Sequence, residues 1–153
     1  MSNYTFSDST VELELRNNGA YASTTRGTSM RPLFKTGRDV VILRTCDTEL
    51  KKYDVVLYKT KEGKYLLHRI IAVRDNEFII RGDNTFIREH VAKDRILAVL
   101  TEYNRGGKKH TTRDLSFRIY SRVWNFIYPA RFVFHKAVSL MRLVYHKLFK
   151  KNK

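Results

Sequence analysis

Short apolar runs separated by turn-forming residues dominate the first two thirds of this chain. Val40-Val41-Ile42-Leu43 and Val55-Val56-Leu57-Tyr58 are rich in β-branched residues, and longer runs follow from Tyr65 through Val73, Glu77 through Arg81 and Arg95 through Glu102. Runs this short, spaced this closely, predict strands rather than helices. Lys61-Glu62-Gly63-Lys64 and Asp75-Asn76 supply hairpin turns, and Asn104-Arg105-Gly106-Gly107 closes the last run. Tyr21 to Arg26 is predicted as an earlier strand. The fold class expected is mainly β: a mostly antiparallel barrel or coiled sheet of five or six strands.

Two regions break this rhythm. Val11-Glu12-Leu13-Glu14-Leu15 alternates like a strand, yet Asp8-Ser9-Thr10 before it and Asn17-Asn18-Gly19 after it are helix start and stop signals, which favours a short helix. Beyond Gly106-Gly107-Lys108-Lys109 the period turns helical, with Leu115 to Tyr128 forming one stretch and Pro129 separating it from a second. At about 100° per residue, residues 131–151 place Val133, Phe134, Ala137, Val138, Leu140, Met141, Val144, Tyr145 and Leu148 on one side. Arg131, His135, Lys136, Arg142, His146 and Lys147 fall on the other. The expected organisation is a domain over 1–104, a linker over 105–112 and a basic amphipathic helical tail over 113–153.

Charge changes the picture more than composition does. The 153 residues carry a formal +15, with 30 Lys/Arg against 15 Asp/Glu. Residues 113–153 hold ten Lys/Arg and one acid, Asp114. Such a tail attracts phosphate on a membrane surface or a nucleic acid. Its apolar face fits either packing on the domain or lying in an anionic lipid interface, with Trp124, Phe126, Tyr128, Phe132 and Phe149 nearby. Nucleic acid fits less well, because RNA-binding basic helices seldom need a broad apolar face. A single cysteine, Cys46, excludes an internal disulfide and a Cys-rich metal site, and no cofactor or metal is expected. Met1 to Thr10 lacks the features of a secretory signal and no window reaches the roughly 20 apolar residues of a spanning helix, so a cytoplasmic protein is expected.

Three short elements carry the chemistry. Gly27-Thr28-Ser29-Met30-Arg31-Pro32 presents a hydroxyl in a tight turn, with Gly27 allowing close backbone approach and Pro32 stiffening the exit. Serine needs a base within hydrogen-bond reach and donors for a developing oxyanion. Leu67-His68-Arg69-Ile70 offers an imidazole in a strand, suited to general-base work near neutral pH. Arg81-Gly82-Asp83-Asn84 ends the next strand and adds a carboxylate. Singly, each reads as a turn serine, a strand histidine and a turn aspartate.

Together with Thr36-Gly37-Arg38-Asp39-Val40-Val41 and Lys52-Tyr53-Asp54-Val55-Val56, these boxes resemble, in order, the signal peptidase I family of the S24/S26 serine peptidase clan. The resemblance covers roughly residues 20–101. It implies a coiled β-sheet domain, Ser29 as nucleophile and His68 in the position where the bacterial secretory enzymes carry lysine, the Ser-His subtype. It implies an orienting acid at Asp83 or, six residues on, at Glu89; Asp83, whose box matches better, is preferred. Gly27 stands where the family often has a hydroxyl, so Thr28 or the Ser29 backbone would form the oxyanion hole, with Gly27, Met30 and Pro32 contacting substrate. The family's secretory members also have a transmembrane anchor. The expected activity is cleavage of a leader or precursor peptide; the alternative is an inactive peptidase-like adaptor binding peptides or membranes.

Overall fold

The computed structural model of the chain describes residues 8–149. Eight strands pair throughout in antiparallel fashion: β1 (Ala20–Thr24), β2 (Val40–Arg44), β3 (Val55–Lys59), β4 (Tyr65–Val73), β5 (Glu77–Arg81), β6 (Glu89–Ala92), β7 (Ile96–Arg105) and β8 (Lys108–Thr111). They form one sheet in the order β1-β2-β7-β3-β4-β5-β6, with β8 hairpinned onto β7. The sheet does not close into a barrel. Register shifts at Ile42/Leu43, Leu57/Tyr58 and Ile70/Ala72 coil it, as inserted residues increase local twist.

Side-chain alternation divides the apolar residues between the two faces. Val55, Leu57 and Tyr65 join Met30, Leu33, Phe34, Val41, Leu43 and Leu100 in the larger cluster. Val56, Tyr58 and Ile70 join Phe78, Ile80 and Val91 in the smaller one. Helix α1 (Asp8–Asn18) buries Val11 and Leu15, one turn apart, against the larger cluster, while Leu13 faces solvent. Glu12 accepts hydrogen bonds from Lys59 Nζ at 2.9 Å and Tyr65 OH at 2.6 Å, pinning the helix to β3 and β4. Gly19 ends it in the left-handed conformation, its amide donating to the Leu15 carbonyl at 2.9 Å.

Two strands are invisible to hydrophobic patterning. In β6 only Val91 is buried, and β8 (Lys-Lys-His-Thr) has no apolar residue and rests on its pairing with β7. The segment 105–112, expected as a linker, is instead mostly the β7–β8 hairpin. Gly106 and Gly107 both take positive φ, the requirement of a tight two-residue hairpin turn.

The tail forms α2 (Leu115–Phe126) and α3 (Tyr128–Phe149), with Pro129 in the first turn of α3, where a missing amide hydrogen costs nothing. Helix α2 docks on the domain through buried Phe117 and Ser121. The apolar stripe of α3 does not: Val133, Phe134, Leu140 and Met141 are all exposed. The side chains of His146, Lys147 and Leu148, together with residues 150–151, lie outside the described residues.

Candidate active site

The loop after β1 sets Ser29 in place. Thr25 donates its amide to the Asp39 carbonyl at 2.9 Å, accepts from the Gly37 amide, and gives its hydroxyl to the Lys35 carbonyl. Gly27 takes φ 72°, and its carbonyl accepts from the Thr36 hydroxyl. Asp39 is fully buried and ties the loop base, receiving the Arg38 guanidinium and the amides of Lys35 and Gly106. Burial alone would raise its pKa, but these donors outweigh it and hold the carboxyl below the ordinary range. Met30, Leu33 and Phe34 then plunge into the core, so Ser29 sits on a turn anchored at both ends. Its carbonyl accepts from the Asn84 amide at 2.7 Å, and the Asn84 side chain donates to the Thr28 carbonyl at 3.3 Å.

His68, on β4, is buried on the face that also carries Tyr58 of β3. Its Nδ1 lies 2.9 Å from Glu89 Oε1, and Tyr58 OH donates to Glu89 Oε2 at 2.6 Å while standing 3.1 Å from the same Nδ1. Burial alone would raise Glu89, yet the hydrogen bonds from His68 and Tyr58 outweigh it and hold the carboxyl below its usual range. Tyr58 is shifted the other way, by burial and by the Glu89 carboxylate, and so keeps its proton. A carboxylate only accepts, so Nδ1–H is the donor to Glu89, and in the neutral imidazole the lone pair belongs to Nε2. That Nε2 is buried and has no hydrogen-bond partner among the described residues.

His68 Nε2 and Ser29 both border the space over Gly82. A Cβ built on Gly82 would stand 3.1 Å from His68 Nε2, 3.1 Å from Ser29 Cβ and 2.8 Å from the Ser29 carbonyl oxygen. Serine and imidazole are therefore no farther apart than twice 3.1 Å, with room between them only because residue 82 lacks a side chain. The Ser29 hydroxyl makes no hydrogen bond among the described residues, a looseness common where substrate completes the geometry. The amides of Thr28 and Ser29 likewise have no acceptor among the described residues.

The structure brings Glu89, not the preferred Asp83, to the histidine. Arg69 follows His68 on β4 and points to the opposite face, and Asp83 serves that face. Its carboxylate takes the Arg69 guanidinium side-on, at 2.8 and 2.7 Å, with both groups almost wholly buried. Burial alone would lower the Arg69 pKa, but the Asp83 charge outweighs it and keeps the guanidinium ionised. Helix α2 completes the cluster: Tyr120 OH donates to Asp83 at 3.0 Å, Arg69 to Ser121 Oγ at 2.6 Å, and Trp124 Nε1 to the Asp83 carbonyl at 2.9 Å. Sequence reasoning missed Tyr58 and this clamp; both depend on register and docking rather than on any local motif.

A cavity of about 540 Å³ opens beside Ser29 and is lined by Gly27, Thr28, Met30, Phe34, Leu57, Leu67 and the outer part of β1. Gly27 and Met30 border this cavity. Pro32 does not: it is exposed and outside the lining, because Leu33 and Phe34 rather than Pro32 turn inward. Among the described residues no three His, Cys, Asp or Glu side chains group as metal ligands. No helix among the described residues is long and apolar enough to cross a membrane. No family model matches the chain, and no curated protein matches it.

Proposed function

We propose that this chain is a serine endopeptidase resembling signal peptidase I, with Ser29, His68 and Glu89 as its catalytic group. One observation carries the reading: a buried histidine whose Nδ1 is held by a carboxylate and whose Nε2 is unpartnered beside a serine in a pinned turn. An unsatisfied buried nitrogen costs stability, and a catalytic base awaiting its proton is a reason to retain one.

In this reading Ser29 Oγ adds to a peptide carbonyl as its proton passes to His68 Nε2. The imidazolium is stabilised by Glu89, and the oxyanion by the amides of Ser29 and Thr28. His68 then returns the proton to the leaving amine, and water releases the acyl group by the reverse route. The substrate is an extended segment of a leader or precursor peptide, added along β1. Thr45 donates to the Gly19 carbonyl and Thr25 to that of Asp39, so by alternation Ala22 and Thr24 turn their peptide groups away from β2. That outer edge belongs to β1, whose residues line the cavity, which supports pairing with a peptide strand. The one cysteine, a free thiol, fits a reducing compartment, and on that ground we place the enzyme in the cytoplasm.

The test is labelling by a serine-directed fluorophosphonate together with hydrolysis of a peptide library by wild type, Ser29→Ala and His68→Ala. Labelling and cleavage confined to wild type are expected. Equal background in all three would reject catalysis and leave a peptide-binding adaptor.

A further inference from the structure

The outward faces of α2 and α3 carry apolar side chains that nothing among the described residues covers. On α2, Leu115, Ile119, Val123 and Phe126 share the side opposite Phe117 and Ser121, and Phe126 is 85% exposed. On α3, Val133, Phe134, Ala137, Leu140, Met141 and Val144 form a stripe opposite the turn that contacts the domain, with Phe134 at 71% and Met141 at 63% exposure. An apolar surface running along both helices exceeds the scattered exposure of ordinary surfaces and marks an interaction face.

Charge selects the occupant. After Asp114 the chain has nine Lys/Arg and no Asp or Glu. A second copy would set these cations against their own kind, and nucleic acid would leave the stripe in water. An anionic bilayer surface satisfies both features, taking the apolar side chains below the headgroups and the Arg and Lys among them. We infer that α2 and α3 dock this protein on anionic lipid through their outward apolar faces.

The same helices are fastened to the catalytic loop. Arg131 of α3 donates to the Asp83 carbonyl at 3.0 Å, beside the Trp124 donor of α2. Phe86 packs on Tyr128, Phe132 and His135, with the His135 ring centroid at 4.5 Å. Lipid docking therefore holds the Gly82–Phe86 loop, and Ser29 with it, close to the bilayer. The inference does not rest on catalysis.

Co-sedimentation of the full chain with vesicles of phosphatidylcholine, alone or mixed with phosphatidylglycerol, tests it. The protein is expected to pellet with the mixed vesicles and stay in the supernatant with the neutral ones. Phe134→Glu/Met141→Glu alters two exposed positions, so melting should be unchanged while partitioning falls at least tenfold. Retention in the supernatant with both vesicle types would overturn the proposal. So would undiminished binding by the double variant, which would mean charge attraction without insertion. A dimer in gel filtration that the double variant dissociates would assign the stripe to a second copy instead.

Discussion

Glu89 and Asp83 are both carboxylates within reach of β4 in sequence, and their fates differ because neighbouring residues on a strand face opposite ways. Glu89→Gln should lower kcat/KM by about 10²–10⁴-fold with little effect on KM, because an amide in its place can hold the imidazole in the wrong tautomer. Its pH signature has a definite sign. The folded-state pKa of Glu89 lies below the ordinary value of 4.5, so the carboxylate contributes stability above that value and loses it as pH falls through the depressed one. Wild type should therefore melt above Glu89→Gln at neutral pH, the gap closing under acid. Asp83→Asn belongs to another category. It strips the counter-charge from buried Arg69 and should cost about 3–5 kcal/mol in a denaturant titration. Both carboxylates were visible as candidates in the sequence. Choosing between them required the face of β4 that each one meets, and matching the Gly-Asp-Asn box led to the wrong one.

At the scale of elements, apolar periodicity revealed what was buried and missed what was merely paired. Strands β2 to β5 and β7 have apolar cores and were legible; β6 and β8 rest on backbone ladders, and β6 brings Glu89 to the site. The Gly82 turn was legible only as a turn, although its missing side chain is what keeps serine and histidine adjacent. Gly82→Ala should reduce turnover by at least about 100-fold, since the new methyl must displace either the Ser29 carbonyl or the imidazole. Strand β1 allows a paired test of substrate addition. Ala22→Pro removes an amide facing away from β2, an edge position where proline is tolerated, so peptide cleavage should weaken while the melting temperature holds. Ser23→Pro removes an amide facing β2 and should lower the melting temperature itself. Equal melting losses in both variants would place the free edge on the wrong residues.

For the whole molecule, the charge asymmetry between the two parts of the chain hides a structural dependence. Residues 113–153 read as an appendage by composition, but α2 is the lid on the buried Arg69–Asp83 pair and contributes Phe117 to the main core. Arg69 also sits against the rings of Phe117 and Tyr120, at 5.4 and 5.7 Å from their centroids. A chain ending at Thr112 would expose this ion pair to water and leave the apolar surface under α2 uncovered. The expected loss is more than about 5 kcal/mol, most of the stability of a domain this size. A chain ending at Val138 keeps α2, the Arg131 bond to Asp83 and the ring cluster on Phe86, and discards Leu140, Met141 and Val144 of the apolar stripe with five of the nine Lys/Arg that follow Asp114. It should melt with the full chain and retain peptide cleavage, while holding anionic vesicles more weakly. Soluble yield and denaturant midpoints of the two truncations separate these cases. If the shorter one folded as well as the longer, the Asp83 clamp would not be what holds the Gly82 turn against Ser29.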